Sequence, residues 1–330
     1  MIEYSLVVPV YNEEESLREL YREIVDVAES QNAQIELIFV DDGSKDSSWS
    51  IISDLASKDA RVRAVRFRRN FGKAAALDVG CKSATKPIIM TLDADLQEDP
   101  KEIPDFLKLL DSGYDVVSGW KKRRHDPWHK VLPSRVFNWL VGAITGVKLH
   151  DHNCGMKCYR REIFDEITLY GELHRFVPVL AASRGYKVGE KIVQHRARKF
   201  GVSKYGFERF VKGFLDLLTV KFVTGYGQRP QHILGSVGLA SFVVGAATLF
   251  WLALRWIVAR LPFLALAEYN LSGRPAVVYS AALMLLGAQF LSIGVVAELV
   301  VSYQNRKGRE YSIKSTLGYK KNEESTPEKK

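Results

Sequence analysis

Two stretches near the carboxyl end of the chain limit the folds that are open to it. Ile233–Leu254 and Ala276–Ala297 each contain 22 residues without a charged side chain. As helices they reach about 33 Å at about 1.5 Å per residue, enough to cross a hydrocarbon core of about 30 Å. The segment between them is short, so the sequence predicts a membrane hairpin with both ends on one side. The alternative is a pair of buried core helices, but this region offers nothing to surround them.

The residues around these two spans predict the orientation of the hairpin. Between the spans lie three arginines: Arg255, Arg260 and Arg274. Outside them lie Lys221, Arg229, Arg306, Lys307, Arg309 and Lys314. Basic residues concentrate on the cytoplasmic side of membrane proteins, and no basic region followed by an apolar run marks a cleaved signal peptide here. We therefore expect a multi-pass protein of the plasma (inner) membrane with a cytoplasmic amino-terminal domain. Small residues in both spans also permit a homo-oligomer.

The region before the hairpin alternates short apolar runs with amphipathic segments. The predicted strands cover residues 4–10, 35–40, 62–67, 88–92, 114–118 and 187–193, and one of the predicted helices covers 172–183. Such alternation is typical of an α/β domain with a mostly parallel sheet between layers of helices. Polar clusters follow the carboxyl ends of the strands, and these ends meet at one edge of a parallel sheet. We expect one cleft there, although neither GxGxxG nor GxxxxGK[ST] occurs to hold phosphates.

One of these clusters contains a pair of aspartates. The apolar run Ile88–Leu92 ends in Asp93 and Asp95, and Gln97 follows two residues later. Two carboxylates and an amide oxygen suit Mg²⁺ or Mn²⁺, ions that often share their ligands with the phosphates of a substrate. An aspartate pair after a strand also suits a helix cap, since Pro100 opens the next predicted helix. The pair alone leaves a metal site and a helix cap equally open.

Basic and aromatic residues dominate the sequence after residue 120. The basic run 121–125 precedes a predicted amphipathic helix at about 128–144, and a second amphipathic helix is predicted at about 207–223. A basic loop beside an aromatic, amphipathic helix is typical of a membrane-surface element. A solvated loop with a helix packed on the sheet is the alternative. Nucleic acid is a third class of partner, but no RNA- or DNA-binding motif occurs, so we expect none.

A second basic segment and the cysteines complete the pattern. Residues 195–206 form a basic loop with two glycines, which suits a diphosphate or a phosphate head group, the alternative being a mobile surface loop. Cys81, Cys154 and Cys158 are too few for a disulfide framework and have no metal-ligand pattern. We interpret them as structural residues in a reducing compartment.

Several short motifs together resemble those of a known enzyme family. They are Val8–Glu14, Val40–Ser44, Asn70–Lys73, Leu92–Gln97, Asp151–Lys157, Leu173–Phe176 and Gly201–Tyr205. They resemble the inverting GT-A glycosyltransferases of family 2, and more closely the polyprenyl-phosphate glycosyltransferases, such as dolichyl-phosphate mannosyltransferase and the bacterial GtrB-like enzymes. The resemblance covers about residues 1–300. It implies a GT-A domain over 1–225, a membrane hairpin over 226–302 and a basic, polar cytoplasmic tail over 303–330.

The resemblance also implies roles for individual residues. The nucleotide sugar is expected to contact Pro9, Tyr11, Glu13, Asp41, Asp42, Lys73 and Asp93. The metal, Mg²⁺ or Mn²⁺, is expected on Asp93, Asp95 and Gln97. The lipid phosphate is expected on Lys130, Ser134 and Arg135. The catalytic residues are expected to be Asp95, Asp151, Arg198 and Lys204, with Ser203 in the same loop. GtrB-like enzymes carry an acid where this chain has Met156, so Asp151, which matches the acid of the mannosyltransferase-like branch, is the expected acidic group.

The implied reaction transfers a hexose from a UDP- or GDP-sugar to a polyprenyl phosphate, such as undecaprenyl phosphate, in the bilayer. A phosphate is already an oxyanion at neutral pH, so in-line attack with inversion requires no strong base. The product would serve the assembly of envelope glycans or glycoconjugates. A family 2 enzyme acting on another lipid or glycan, and a non-catalytic subunit that binds nucleotide sugars, remain the alternatives.

Overall fold

The structure, a computed structural model, describes residues 2–122, 128–197, 199, 208–226, 230–260, 271 and 273–305. The predicted residues Arg198, Ser203 and Lys204 and most of the predicted tail lie outside these ranges, as does the side chain of Lys130. The strands are β1 (Glu3–Val10), β2 (Gln34–Asp41), β3 (Val62–Arg66), β4 (Ile88–Thr91), β5 (Val116–Trp120), β6 (Lys157–Arg160) and β7 (Val188–Ile192). The helices are α1 (Leu17–Ser30), α2 (Ser48–Lys58), α3 (Lys73–Ser83), α4 (Ile103–Asp111), α5 (Trp128–Thr145), α6 (Ile163–Glu166), α7 (Val177–Ser183), α8 (Glu208–Tyr226), α9 (Pro230–Val258) and α10 (Pro275–Asn305).

Within the described residues the strands form one mixed sheet in the order β3-β2-β1-β4-β6-β5-β7. β1 pairs in parallel with β2 and β4, β2 with β3, and β5 with β7. Only β6 runs antiparallel to its neighbours, with Cys158 opposite both Met90 of β4 and Val117 of β5. Because β6 runs the other way, the loop before it lies at the edge where β4 and β5 end. That edge is the one predicted to carry the cleft.

Successive residues of the central strands are buried on opposite faces of this sheet, and both faces are covered by helices. Leu6 and Val8 pack with α1 and α4 in one cluster that includes Phe106, whereas Val7 and Ile38 pack with α3 in the other. Side chains of successive strand residues point to opposite faces, so a continuous apolar run is what a doubly covered strand requires. The predicted three-layer α/β domain is confirmed.

The helix predicted at 172–183 begins later than predicted. A 3₁₀ turn covers Leu173–Arg175, and α7 starts at Val177 with Pro178 in its first turn. Pro178 has no N–H to donate to the carbonyl four residues before it, and proline is favoured in the first turn of a helix, so a new helix starts here instead of one running on from residue 172.

The three cysteines are buried and form no disulfide. Burial raises the pKa of each thiol far above its usual value. A thiol that keeps its proton is a poor nucleophile and a poor metal ligand. The interpretation of these cysteines as structural residues agrees with this environment.

The two apolar stretches form α9 and α10, which pack closely against each other. A Cβ atom on Gly238 would lie 2.8 Å from the carbonyl oxygen of Gly287, and one on Gly245 would lie 2.6 Å from that of Ser280. Both helices are long and apolar enough to cross a membrane, and only 17% and 11% of their most apolar windows are buried. Phe250 is 71% exposed. Such exposed apolar surfaces argue against the alternative that α9 and α10 are core helices of a soluble domain.

The two predicted amphipathic helices are also present, as α5 and α8. The two helices pack against each other, and a Cβ atom added to Gly213 of α8 would lie 3.3 Å from the ring of Phe137 in α5. Their other sides stay apolar and exposed, with Trp139 at 69% and Leu215 at 56% exposure. Exposed apolar surface of this kind is typical of a membrane or protein contact. Contact with a bilayer remains a prediction.

Candidate functional site

The aspartate pair lies in a tight turn after β4. The turn bends through Leu96, whose φ is 59°, and Oδ1 of Asp95 accepts a hydrogen bond of 3.2 Å from the backbone N of Gln97. The following helical turn at Pro100 is capped by Asp99, whose Oδ1 accepts a 3.0 Å bond from the N of Lys101. The helix-cap interpretation therefore belongs to Asp99, and the aspartate pair is left for another role.

The carboxylate of Asp93 lies among positive charges. It forms an ion pair with Lys73, the first residue of α3. Burial alone would raise the pKa of Asp93, but Lys73, and then Lys121 and Lys157, lower it below its usual value. Asp93 is therefore a carboxylate at neutral pH, and the structure brings it together with the predicted Lys73.

The two aspartates at the end of β2 hold neighbouring loops of the chain. Oδ1 of Asp41 accepts a 2.9 Å bond from the N of Ser44, and Oδ1 and Oδ2 of Asp42 accept bonds of 2.6 and 2.9 Å from the N atoms of Phe71 and Gly72. Burial raises the pKa of Asp42, and these two N–H groups oppose that change. Both carboxylates thus accept hydrogen bonds from the backbone of neighbouring loops. Their direct contact with a base or ribose remains a prediction.

A glycine lets these loops meet. Gly43 has a φ of 70°, and a Cβ there would lie 2.5 Å from the carbonyl carbon of Arg69. Only glycine adopts that conformation and allows that approach at little cost. The close approach of the two loops shapes the floor of a cleft beside them.

The cleft has a volume of about 820 Å³ and lies at the ends of β1, β2 and β3. Its lining residues are Tyr11, Gly43, Ser44, Lys45, Arg66, Phe67, Arg68, Arg69 and Asn70. The predicted Tyr11 is thus one of the lining residues, while Pro9 and Glu13 lie on either side of it along the chain. The backbone N of Glu13 donates a 2.9 Å bond to Ser48. No role was predicted for the four cations of the lining, although Arg68 and Arg69 directly follow β3 in the sequence.

The predicted acid Asp151 is buried and held from several directions. Oε1 of Glu190 accepts bonds of 2.8 and 3.0 Å from the N atoms of His150 and Asp151. Oδ1 of Asp151 accepts a 3.0 Å bond from the N of Asn153. Asn138 of α5 donates a 2.7 Å bond to the carbonyl of His150. Glu190 and Asn138 were not predicted, because their partners lie far away in sequence.

α5 carries the predicted lipid-phosphate residues, and Asn138 joins this helix to the Asp151 loop. Ser134 lies one turn before Asn138, on the same side of the helix, so the bond from Asn138 to the loop draws Ser134 toward it. Arg135 is exposed, and Ser134 is partly buried. The backbone of Lys130 belongs to α5, one turn before Ser134.

A buried lysine and a partly buried one complete the site, and neither was assigned a role from the sequence. The Nζ atom of Lys157, at the start of β6, donates a 3.0 Å bond to the carbonyl of His152. Burial lowers the pKa of Lys157 to about 8, an effect that the positive charge of Lys73 reinforces and that nearby anionic groups, Asp151 and Asp93 among them, oppose. The second, Lys121, follows β5 and pairs with a buried glutamate. Lys121 begins the basic run for which a solvated loop was the alternative, and Lys157 ends the Asp151–Lys157 motif.

The donor set at the turn fits a hard divalent cation. Asp93, Asp95 and Gln97 are all partly buried in this turn, so their oxygen donors lie at an accessible edge of the sheet. Among the described residues, no group of three or more His, Cys, Asp or Glu side chains is arranged to hold a metal ion by itself. Mg²⁺ and Mn²⁺ commonly take only one or two carboxylates from a protein and complete their shell with water and phosphate.

His152, next to Asp151, predicts an acid-sensitive core. Burial, and secondly the charge of Lys157, lower the pKa of His152 from 6.5 to about 4, and its ring nitrogens form no hydrogen bond within the described structure. As the pH falls from about 6.5 to 4, His152 binds a proton in the unfolded chain but stays neutral in the folded chain. The free energy of unfolding should then fall by at most about 3 kcal/mol.

Thermal melting of the detergent-solubilised protein between pH 8 and pH 4 measures this loss. We expect His152→Leu to lose less stability than the wild type over this range. The comparison at pH 8 is the control, because the histidine is neutral there and any difference reports packing alone. Equal losses in both proteins would show that another group causes the acid sensitivity.

The mixed sheet, with its aspartate turn and its antiparallel β6, defines a GT-A domain. The glycosyl transferase family 2 model matches residues 5–168. A dodecaprenyl-phosphate galacturonate synthase of Rhizobium johnstonii is 37% identical over 305 residues, covering 91% of this chain and 88% of that protein. An undecaprenyl-phosphate 4-deoxy-4-formamido-L-arabinose transferase of an Enterobacter species is 36% identical, covering 90% and 87%. The chain therefore belongs to glycosyltransferase family 2.

A solved structure supports the fold in the same way. Glucosyl-3-phosphoglycerate synthase from Mycobacterium tuberculosis, crystallised with Mn²⁺ and UDP-glucose, matches with a TM-score of 0.52 over 68% of this chain and 79% of that one. Its sequence is 18% identical, so the likeness concerns the fold alone. The predicted resemblance to polyprenyl-phosphate glycosyltransferases is confirmed by the relatives, and the GT-A fold followed by two apolar helices is confirmed as well.

Proposed function

We propose that this enzyme transfers a hexose from a UDP- or GDP-sugar to a polyprenyl phosphate, such as undecaprenyl phosphate, with inversion. The observation that carries the proposal is the meeting of two elements at one sheet edge. The Asp93–Gln97 turn lies there, and so does the Asp151 loop, which Asn138 ties to the apolar-faced α5. A soluble phosphorylated donor and a lipid acceptor would thus approach the same point from opposite sides.

The donor would lie along the carboxyl ends of β1, β2 and β4. Its nucleoside fits the 820 Å³ cleft beside Tyr11, and its diphosphate would reach the turn near Lys73. Asp93, Asp95 and Gln97 would hold Mg²⁺ or Mn²⁺, which would neutralise charge on the departing diphosphate. The cations around the cleft would raise the local concentration of the anionic donor.

The acceptor would approach along α5. A phosphate monoester is an anion at neutral pH, so the protein has only to hold it in line with the anomeric carbon. Ser134 and Arg135, together with Lys130, would hold this phosphate. Asp151, fixed by Glu190 and shielded from water, would face the reacting centre and orient the sugar or stabilise positive charge on it. Arg198 and Lys204 would balance the charge of the phosphates.

The proposed place of work is the cytoplasmic face of the plasma membrane. α9 and α10 would span the bilayer, and the exposed apolar sides of α5 and α8 would rest on it, with Trp139 at the level of the head groups. Contact with lipid would explain why no other part of the described protein covers these apolar side chains. The glycine-rich sides of α9 and α10 already face each other, so a homo-oligomer would use their outer surfaces.

A transfer assay with purified full-length protein tests this proposal. Radiolabelled UDP- and GDP-sugars are incubated with undecaprenyl phosphate and Mn²⁺ or Mg²⁺, with undecaprenol, which lacks the phosphate, as the matched control. We expect a labelled glycosyl lipid with undecaprenyl phosphate alone, in the β configuration from an α-linked donor. Donor binding without a labelled lipid would contradict the proposal and favour the non-catalytic subunit. Transfer to another lipid or glycan alone would favour the other family 2 alternative.

A further inference from the structure

Glu98 is a buried carboxylate directly after the predicted metal-binding turn. Its side chain is 1% exposed. Oε2 accepts a 3.1 Å bond from the N of Asp93, and Oε1 accepts a 2.9 Å bond from the N of Gly155. The left-handed conformation of Leu96 folds the chain back so that Glu98 lies beneath the turn. One side chain thus holds a backbone N–H from each of the two segments that form the site.

The charge of Glu98 is balanced by Lys121. Their closest atoms, Oε1 and Nζ, are 3.1 Å apart, and the side chain of Lys121 is 14% exposed. Burial by itself lowers the pKa of Lys121, but Glu98, and then Cys154 and Asp93, raise it well above its usual value. A buried charge with one partner removed is strongly destabilising, so this pair holds the Glu98 side chain in place. Lys121 also brings the end of β5 into the same contact.

Gly155 links Glu98 to the carboxylate of Asp93. Its N–H binds Glu98, and its carbonyl accepts a 2.7 Å bond from Oγ1 of Thr91. A Cβ on Gly155 would lie 2.5 Å from Cγ of Asp93, so the carboxylate rests directly against this backbone. A shift of Gly155 therefore displaces Asp93, and Glu98 controls both. The backbone of Glu98 also pairs with His195 in an isolated antiparallel bridge.

We propose that Glu98 is a positioning residue that fixes the spacing between the Asp93–Gln97 turn and the loop carrying Asp151. It reaches neither substrate; it acts by holding the two backbones that carry the reacting groups. The catalytic part of this inference rests on the proposed glycosyl transfer, whereas the structural part is independent of it. Small displacements of such groups are costly, since a misplacement of about 1 Å can reduce a rate by about 10²-fold.

The test compares Glu98→Gln with a matched variant, Glu36→Gln. Glu36 is also buried, accepts a 2.9 Å bond from the N of Thr85 and pairs with Arg63, but it lies near the amino end of β2, far from the site. Amide hydrogen exchange is measured on the full-length protein in detergent. We expect faster exchange in residues 91–99 and 151–157 with Glu98→Gln, and unchanged exchange there with Glu36→Gln. Unchanged protection of both segments in Glu98→Gln would overturn the proposal, whether or not the protein transfers sugar.

A kinetic experiment then tests the consequence for the reaction. With Glu98→Gln we expect kcat to fall by about 10²-fold, and the Mn²⁺ concentration for half-maximal rate to rise by about tenfold. A merely destabilised protein would lose active molecules and keep the wild-type Mn²⁺ dependence, as we expect for Glu36→Gln. The double variant Glu98→Gln/Lys121→Met removes the unpaired charge, so its melting temperature should recover while its Mn²⁺ dependence does not. Recovery of both would show that charge pairing, and not backbone positioning, is the role of Glu98.

Discussion

Asp95→Ala is expected to reduce sugar transfer by about 10³-fold or more, while the chain still folds and enters membranes. In the structure Asp95 lies at the accessible edge of the turn, beside a carboxylate that Lys73 keeps charged. Its removal would take one of two carboxylates from the cation, and electrostatic stabilisation of a departing diphosphate is a large part of such catalysis. The measurement is the initial rate of glycosyl-lipid formation at saturating donor and acceptor.

Asp99→Ala is the matched control for this variant. Asp99 lies four residues further on, caps the turn at Pro100 and pairs with Arg196. Its loss should cost about 1 kcal/mol of stability and leave the transfer rate near that of the wild type. Full activity of Asp95→Ala would refute the metal interpretation, and so would an equal loss in both variants.

Gly155→Ala is expected to reduce kcat/KM by about 10²-fold, the cost of a misplacement of about 1 Å at the reacting groups. The added methyl group would overlap the carboxylate of Asp93, since a Cβ there lies 2.5 Å from both Cγ and Oδ2. The carboxylate has little room to yield, because Lys73 holds it from the other side. We therefore expect loss of activity and a higher Mn²⁺ requirement.

Gly142→Ala is the control for the added methyl group. In α5 the nearest atom to a Cβ at this position is 3.6 Å away, an ordinary contact, and alanine favours helices over glycine by about 1 kcal/mol. This variant should melt at or above the wild-type temperature with an unchanged Mn²⁺ requirement. If Gly155→Ala behaved in the same way, the close packing of Asp93 on Gly155 would be irrelevant to the reaction.

The sheet and its active edge could be predicted because the signals are local. The run Tyr4–Val10 is apolar at every position except Ser5, and in the structure it buries both of its faces. The Asp93–Asp95 turn follows such a strand directly. The antiparallel direction of β6 could not be predicted, since a four-residue strand carries no mark of the direction of its neighbours.

The supporting charges could not be predicted for a different reason. Glu98 and Lys121 lie in polar segments and Glu190 lies in β7, and the sequence does not distinguish a buried charged side chain from a solvated one. Their partners are also remote in sequence, as with Glu98 and Gly155, which are 57 positions apart. Asp42 shows the opposite case, in which a residue was found by its motif, while its contacts with the loop at Phe71 came only from the fold.

The position of α5 between β5 and β6 has a consequence for how related enzymes could differ. The segment from 122 to 149 lies between β5 and β6, which are neighbours in the sheet. A longer, shorter or wholly different insertion would leave the donor machinery of the other strands undisturbed. Under the proposed function the lipid phosphate binds along α5, so we expect a swap of this segment between relatives to change the lipid acceptor while keeping the sugar donor.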